Sequence, residues 1–185
     1  MSEQTLSTTV AWRRGFIVRF VLFGAIALGI VAVALGPRGL AQVSSLAAAT
    51  NWTPHAPRLD LLAAASPVIK VHLATVLLSL GLGAVQLLGP KGKTMHRVIG
   101  WTFTALMLTT AVATLFLHGP NGRFGPLHIF SAVVLISLPI GVIAARTHNV
   151  ARHARVMTGL YIGGLLFAGV IAFLPGRLMW QMFFG

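Results

Sequence analysis

The chain has no cysteine, and Glu3 and Asp60 are its only acidic residues among 185. The first absence excludes disulfides, thiolate metal sites, cysteine nucleophiles and covalent haem attachment through a Cys-x-x-Cys-His run. The second excludes catalysis by paired carboxylates and leaves no carboxylate chain for a proton relay inside a membrane. Charge of either sign is scarce: charged residues make up 9% of the sequence, against about 25% in a typical soluble domain.

What remains is apolar and basic. Hydrophobic residues account for 56% of the chain, and 14 lysines and arginines give a formal net charge of +12. In a soluble protein that charge would point to nucleic acid. Here the basic residues fall in short loops between apolar runs, so anionic lipid head groups are the expected neutraliser.

A helix needs about 20 mostly apolar residues to cross a bilayer. Five runs qualify, at roughly residues 16–36, 68–88, 96–117, 127–145 and 154–174. Gly36-Pro37, Gly89-Pro90, Gly119-Pro120 and Gly125-Pro126 punctuate them as boundaries. Pro139 lies inside the fourth run and predicts a kink. The first run is too long for a signal peptide's apolar region and reads as a retained anchor. Two shorter apolar runs, 40–49 and 59–65, flank Trp52 and are expected along the interface.

The expected fold is an all-α membrane protein with five transmembrane helices, the last four forming an antiparallel four-helix bundle. The expected organisation is a cytoplasmic N-terminus and anchor over 1–36, an outer-face loop over 37–67, the bundle over 68–176 and an outer tail over 177–185. With the N-terminus inside, Arg13, Arg14, Arg19, Lys91, Lys93, Arg97, Arg146, Arg152 and Arg155 are cytoplasmic, and Arg38, Arg58, Lys70, Arg123 and Arg177 are outside. Nine against five favours that orientation under the positive-inside rule, in a bacterial inner membrane.

Each of the last four runs has a histidine near its start: His72, His96, His128 and His153. Consecutive spans alternate in direction, so His72 and His128 are expected at the outer level and His96 and His153 at the inner one. The positive end of a helix disfavours imidazolium and keeps each ring in its metal-binding form. Paired axial imidazoles without cysteine suit a b-type haem, and two facing pairs predict two of them. Gly100, one turn after His96, is expected to let a flat macrocycle lie against the backbone. Arg97, Arg152 and Arg155, with Lys70 and Arg123 at the other level, are candidate partners for propionates. A single interfacial histidine is more often a polar anchor than a ligand, and His55, His118 and His148 are read as loop residues. Gln86 is read as a helix–helix hydrogen bond.

The run Gly-Pro-Lys-Gly-Lys-Thr-Met-His-Arg-Val-Ile-Gly-Trp over 89–101 resembles the HRxxGW signature of a bacterial membrane family known as domain of unknown function 2306 (DUF2306). So do His72 followed by Gln86-Leu87-Leu88, the Phe124-Gly125-Pro126-Leu127-His128 run, and Arg152-His153-Ala154-Arg155-Val156-Met157. Together they span roughly residues 68–178. The layout of one histidine per helix is also similar to dihaem b cytochromes of the cytochrome b-561 kind, which implies His72 paired with His128 and His96 paired with His153. No ascorbate-binding motif accompanies it.

The expected function is membrane electron transfer through two b-type haems, from a quinol or small reductant, as a cytochrome or membrane oxidoreductase. The lipid bilayer, a quinone or other redox partner, and a homodimer or larger membrane complex are the expected partners; nucleic acid is not. One alternative is a non-haem copper or zinc protein, using His72, His118 and His128 on one side and His96, His148 and His153 on the other. Another is a cofactor-free transporter or complex subunit.

Overall fold

A computed structural model describes residues 3–49, 53–118, 124–125 and 127–185, with side chains in the first helix given at part of its length. All regular structure among these residues is helical. The helices are α1 (Glu3–Ala49), α2 (Leu59–Ala64), α3 (Pro67–Leu88), α4 (Thr94–Leu115), α5 (His128–Arg146), α6 (Val150–Gly159), α7 (Ala168–Ala172) and α8 (Leu178–Phe183). A π-helical stretch, Leu160–Phe167, joins α6 to α7. The expectations placed on Trp52 and Arg123, and on the side chains of Arg13, Arg14 and Arg19, lie outside the described residues.

Four helical segments are long and apolar enough to cross a membrane: Pro67–Leu88, Thr94–Leu115, His128–Arg146 and the continuous Val150–Ala172. They match four of the five expected runs to within a few residues. The Gly36-Pro37 pair does not end α1. Gly36 takes φ 63°, ψ −179°, and helix resumes beyond it to Ala49, so the pair makes a kink. Glycine pays no Cβ penalty at positive φ, and proline after it fits the first turn of a new helix. The run 40–49 is therefore the second limb of α1.

The helices bury small and polar side chains and turn large apolar ones outward. α3 buries Thr75, Ser79 and Gly83, spaced by four and thus on one face. It leaves Leu77 and Leu78 more than half exposed. This is the pattern of helices whose solvent is lipid, where close approach of backbones replaces hydrophobic burial as the packing force. Gly83 shows the reason. A Cβ there would lie 2.3 Å from the ring of Tyr161 and 3.0 Å from Phe103. The missing side chain lets Tyr161 cross onto α3, where its hydroxyl donates to the Leu80 carbonyl at 3.2 Å.

Phe103, Met107, Val134, Leu138, Ile162 and Leu165 form the centre of the core, from α4, α5 and the π-helical stretch. Phe20 of α1 rests on Phe167 with ring centroids 5.4 Å apart, tying the first helix to the same stretch. At the opposite end of the chain, the segment before α2 is pinned to α8. The His55 and Arg58 amides donate to the carbonyls of Phe183 and Met182.

Candidate functional site

The starts of α4 and α6 meet. His96 lies in the first turn of α4 and His153 in the first turn of α6, and their rings are 6.3 Å apart at an interplanar angle of 84°. His153 is fixed from behind: its Nδ1 lies 2.9 Å from the Gly141 carbonyl on α5. A carbonyl only accepts, so Nδ1 carries the proton and Nε2 keeps the lone pair. That is the usual second contact of a metal-binding imidazole. Gly141 makes the contact possible, because a Cβ there would sit 2.7 Å from Met157 Sδ and 3.2 Å from Val156 Cγ1.

His96 is placed by its backbone. Gln86, on the last turn of α3, donates to the His96 carbonyl at 2.6 Å. Lys91, in the turn between α3 and α4, closes the end of α3 by donating to the carbonyls of Gln86, Leu87 and Gly89 at 2.5, 2.8 and 2.8 Å. A cation there also meets the negative end of the helix dipole. Partial burial pushes the Lys91 pKa below the ordinary lysine value. His96 Nδ1 is buried without a hydrogen-bond partner, one of three such side-chain atoms among the described residues, with Ser79 Oγ and His128 Nε2.

Arg97, Arg152 and Arg155 are exposed at this same end. Gly100 is one turn from His96, but the space above it is taken: a Cβ there would meet Gln86 Nε2 at 3.2 Å. The glycine makes room for the Gln86 side chain, the helix–helix bond expected from sequence.

The other two helix-start histidines are placed differently. His72 Nδ1 approaches the Thr110 carbonyl at 3.3 Å and Thr114 Oγ1 at 3.2 Å. The Thr114 hydroxyl already donates to the Thr110 carbonyl at 2.8 Å, so both groups accept from the ring and Nδ1 bears the proton. Thr110 donates in turn to Thr75 Oγ1 at 2.8 Å. His128 turns back on its own loop, with Nδ1 3.0 Å from the Gly125 amide and 3.1 Å from the Gly125 carbonyl. Its ring neighbours are Phe124 at 4.6 Å and His118 at 6.5 Å.

The structure thus brings His96 to His153, and His128 to His118, while α4 holds His72. The two three-histidine metal sets are not assembled: among the described residues, no group of three or more histidines, cysteines or acids could hold a metal ion. His55 lies between the carbonyls of Ala56 and Gly185. His148 sits in the α5–α6 turn with φ 58°.

Sequence reasoning did not single out Thr110, Thr114 or Gly141. The spacing of Thr110 and Thr114 by four carried a signal, because two hydroxyls one turn apart mark a polar stripe in an apolar helix. Gly141 carried none, since its role depends on the neighbouring helix. The π-helical stretch was also unforeseen; such segments recur at functional sites.

The sequence profile of a family described as "Predicted membrane protein (DUF2306)" matches residues 69–183, and the chain belongs to that family. No curated protein matches the chain. No solved structure matches it either.

Proposed function

We propose that this member of the DUF2306 membrane family is an electron-transfer protein that holds one b-type haem between His96 and His153. The ring separation, together with the Gly141 carbonyl that orients His153, carries the reading. A single ion held by both rings through metal–nitrogen bonds of about 2.0–2.1 Å would need ring centres about 6 Å apart. The observed spacing is 6.3 Å. His153 has the proton on the nitrogen that faces Gly141, and three exposed arginines stand near enough in sequence to meet propionates. Haem, when bound, would supply the one-electron couple; the chain supplies two imidazoles and a basic rim.

The pair expected at the other level, His72 with His128, is not brought together: His72 is tied to α4, and the ring 6.5 Å from His128 is the loop residue His118, with His128 Nδ1 turned to its own loop at Gly125. The fold we propose in the membrane is an antiparallel bundle of the four spans, with the first limb of α1 as a fifth. Its N-terminus is cytoplasmic in a bacterial inner membrane, which puts His96 and His153 at the cytoplasmic end. A quinol or other small reductant is the proposed donor.

The deciding experiment is the absorption spectrum of purified protein, oxidised and then reduced with dithionite. A sharpened visible band on reduction, with about one haem extracted per chain by acid acetone, is expected. A colourless preparation that also fails to take up added haemin overturns the reading. Orientation is tested separately, since the chain has no native cysteine to interfere. In intact cells an impermeant thiol reagent should label Arg58→Cys, and should label Lys93→Cys only after lysis. The reverse pattern inverts the topology.

A further inference from the structure

At the end away from His96 and His153, the starts of α3 and α5 and the ends of α4 and α7 border a half-open cavity of about 360 Å³. Small-molecule pockets occupy about 300–1,000 Å³. The wall is mainly apolar, with Val76, Met107, Val134 and Leu165 among its lining. Polar side chains interrupt it, His72, Thr110, Thr114, His118, Ser131 and Arg177, and they differ in what they can still do.

Thr110 and Thr114 already donate their hydroxyl protons, to Thr75 and to the Thr110 carbonyl. His72 uses Nδ1 as a donor, which leaves Nε2 as an acceptor. Arg177 is the reverse, a donor that does not lose its charge in proteins. Burial pushes its pKa below the ordinary value, so it is partly stripped of water. Asp60, the acid nearest to it in sequence, is engaged by Arg58 at 3.4 Å. Among the described residues, Arg177 has no side-chain hydrogen bond or ion pair.

The complement of this lining is an apolar body with a hydroxyl to give to His72 and an oxygen to accept from Arg177. We infer that the cavity binds a quinol-class ring, one hydroxyl donating to His72 Nε2 and a second oxygen accepting from Arg177. An acyl chain would fill the wall but leave both polar groups unmatched. Inorganic phosphate would satisfy Arg177 but not the apolar wall. Binding rests on the cavity itself; only its use as an electron source for the iron rests on the redox reading above.

The test is calorimetric titration of the purified full chain in detergent with a short-tailed benzoquinol and with its dimethyl ether. The quinol should bind at least about tenfold more tightly than the ether, a difference of about 1.4 kcal/mol. His72→Phe and Arg177→Gln should each weaken quinol binding about tenfold, and His55→Ala should leave it unchanged. Gly169→Leu is the variant that guards against misfolding. Gly169 lines the cavity, and a Cβ there meets nothing within 4 Å, so the larger side chain should block binding while the melting temperature holds. Quinol binding that survives in His96→Ala would separate this site from the haem. Equal affinity for quinol and ether, full competition by inorganic phosphate, or unchanged binding in Gly169→Leu overturns the proposal.

Discussion

The two ends of the four candidate spans place the same residue type in different surroundings. Where α4 and α6 begin, two histidines on different helices face each other at 6.3 Å, and one is oriented by a backbone carbonyl on a third helix. Where α3 and α5 begin, His72 is tied into a chain of threonines and His128 turns back to its own loop. One end brings two rings to a common point. The other leaves a cavity with His72 and His118 on its wall, and there His118 lies 6.5 Å from His128. Ring distance alone does not separate the ends, since 6.3 and 6.5 Å are alike; what differs is that His96 and His153 both stand on spanning helices with rings crossed at 84°, and that a carbonyl on a third helix orients His153.

The sharpest way to break this comparison is to remove the histidines one at a time and count haem by pyridine haemochrome. His96→Ala and His153→Ala should each abolish bound haem, whereas His72→Ala should keep the full complement. Equal loss in all three would mean that the ends are alike and the one-pair assignment is wrong.

A smaller effect should come from helix spacing. Gly141→Val forces a branched side chain against Val156 and Met157, and overpacking of this kind costs about 1–3 kcal/mol. Its melting temperature should fall, and haem retention should fall with it as His153 loses the Gly141 carbonyl. Gly169→Ala at the other end has open space and should be neutral or slightly stabilising, since alanine is the better helix former by about 1 kcal/mol. A thermal melt of both variants tests the pair, and equal destabilisation would contradict the difference in packing.

The smallest effects should distinguish the two hydrogen-bond systems. Interhelical hydrogen bonds within membranes average about 0.6 kcal/mol. Gln86→Leu and Thr110→Val should each lower stability by about that much. Only Gln86→Leu should also weaken haem binding, because Gln86 positions the backbone of His96. Haem titration of the two purified variants checks this, and a matched loss of affinity in both would remove the distinction.

Much of the architecture was legible because membrane helices announce themselves. A run of about 20 apolar residues with few charges has one stable arrangement in lipid, with every backbone group bonded inside the helix. Four such runs became the four candidate spans, and Gln86 proved to be the helix–helix bond expected of a lone amide in an apolar segment. The π-helical stretch and the resumption of α1 beyond Gly36-Pro37 were not legible, because both concern how helices accommodate neighbours or loops and not whether they form. Gly100 illustrates the same limit: sequence shows that space exists beside His96, and the fold fills it with Gln86.

By itself, the sequence determined the class of the protein and the chemistry open to it. Without cysteine, and with two acids, the sequence leaves histidine as the main metal-ligating side chain, and the apolar composition commits the chain to a bilayer. Only the tertiary structure decided which histidines meet. Sequence spacing fixes the face of a helix on which a side chain stands, because 3.6 residues make a turn. It does not fix the distance between two helices, which depends on what each must accommodate at the contact. At Gly141 and Gly83 that contact is close because a side chain is missing, and there His153 and Tyr161 reach backbone carbonyls across the interface.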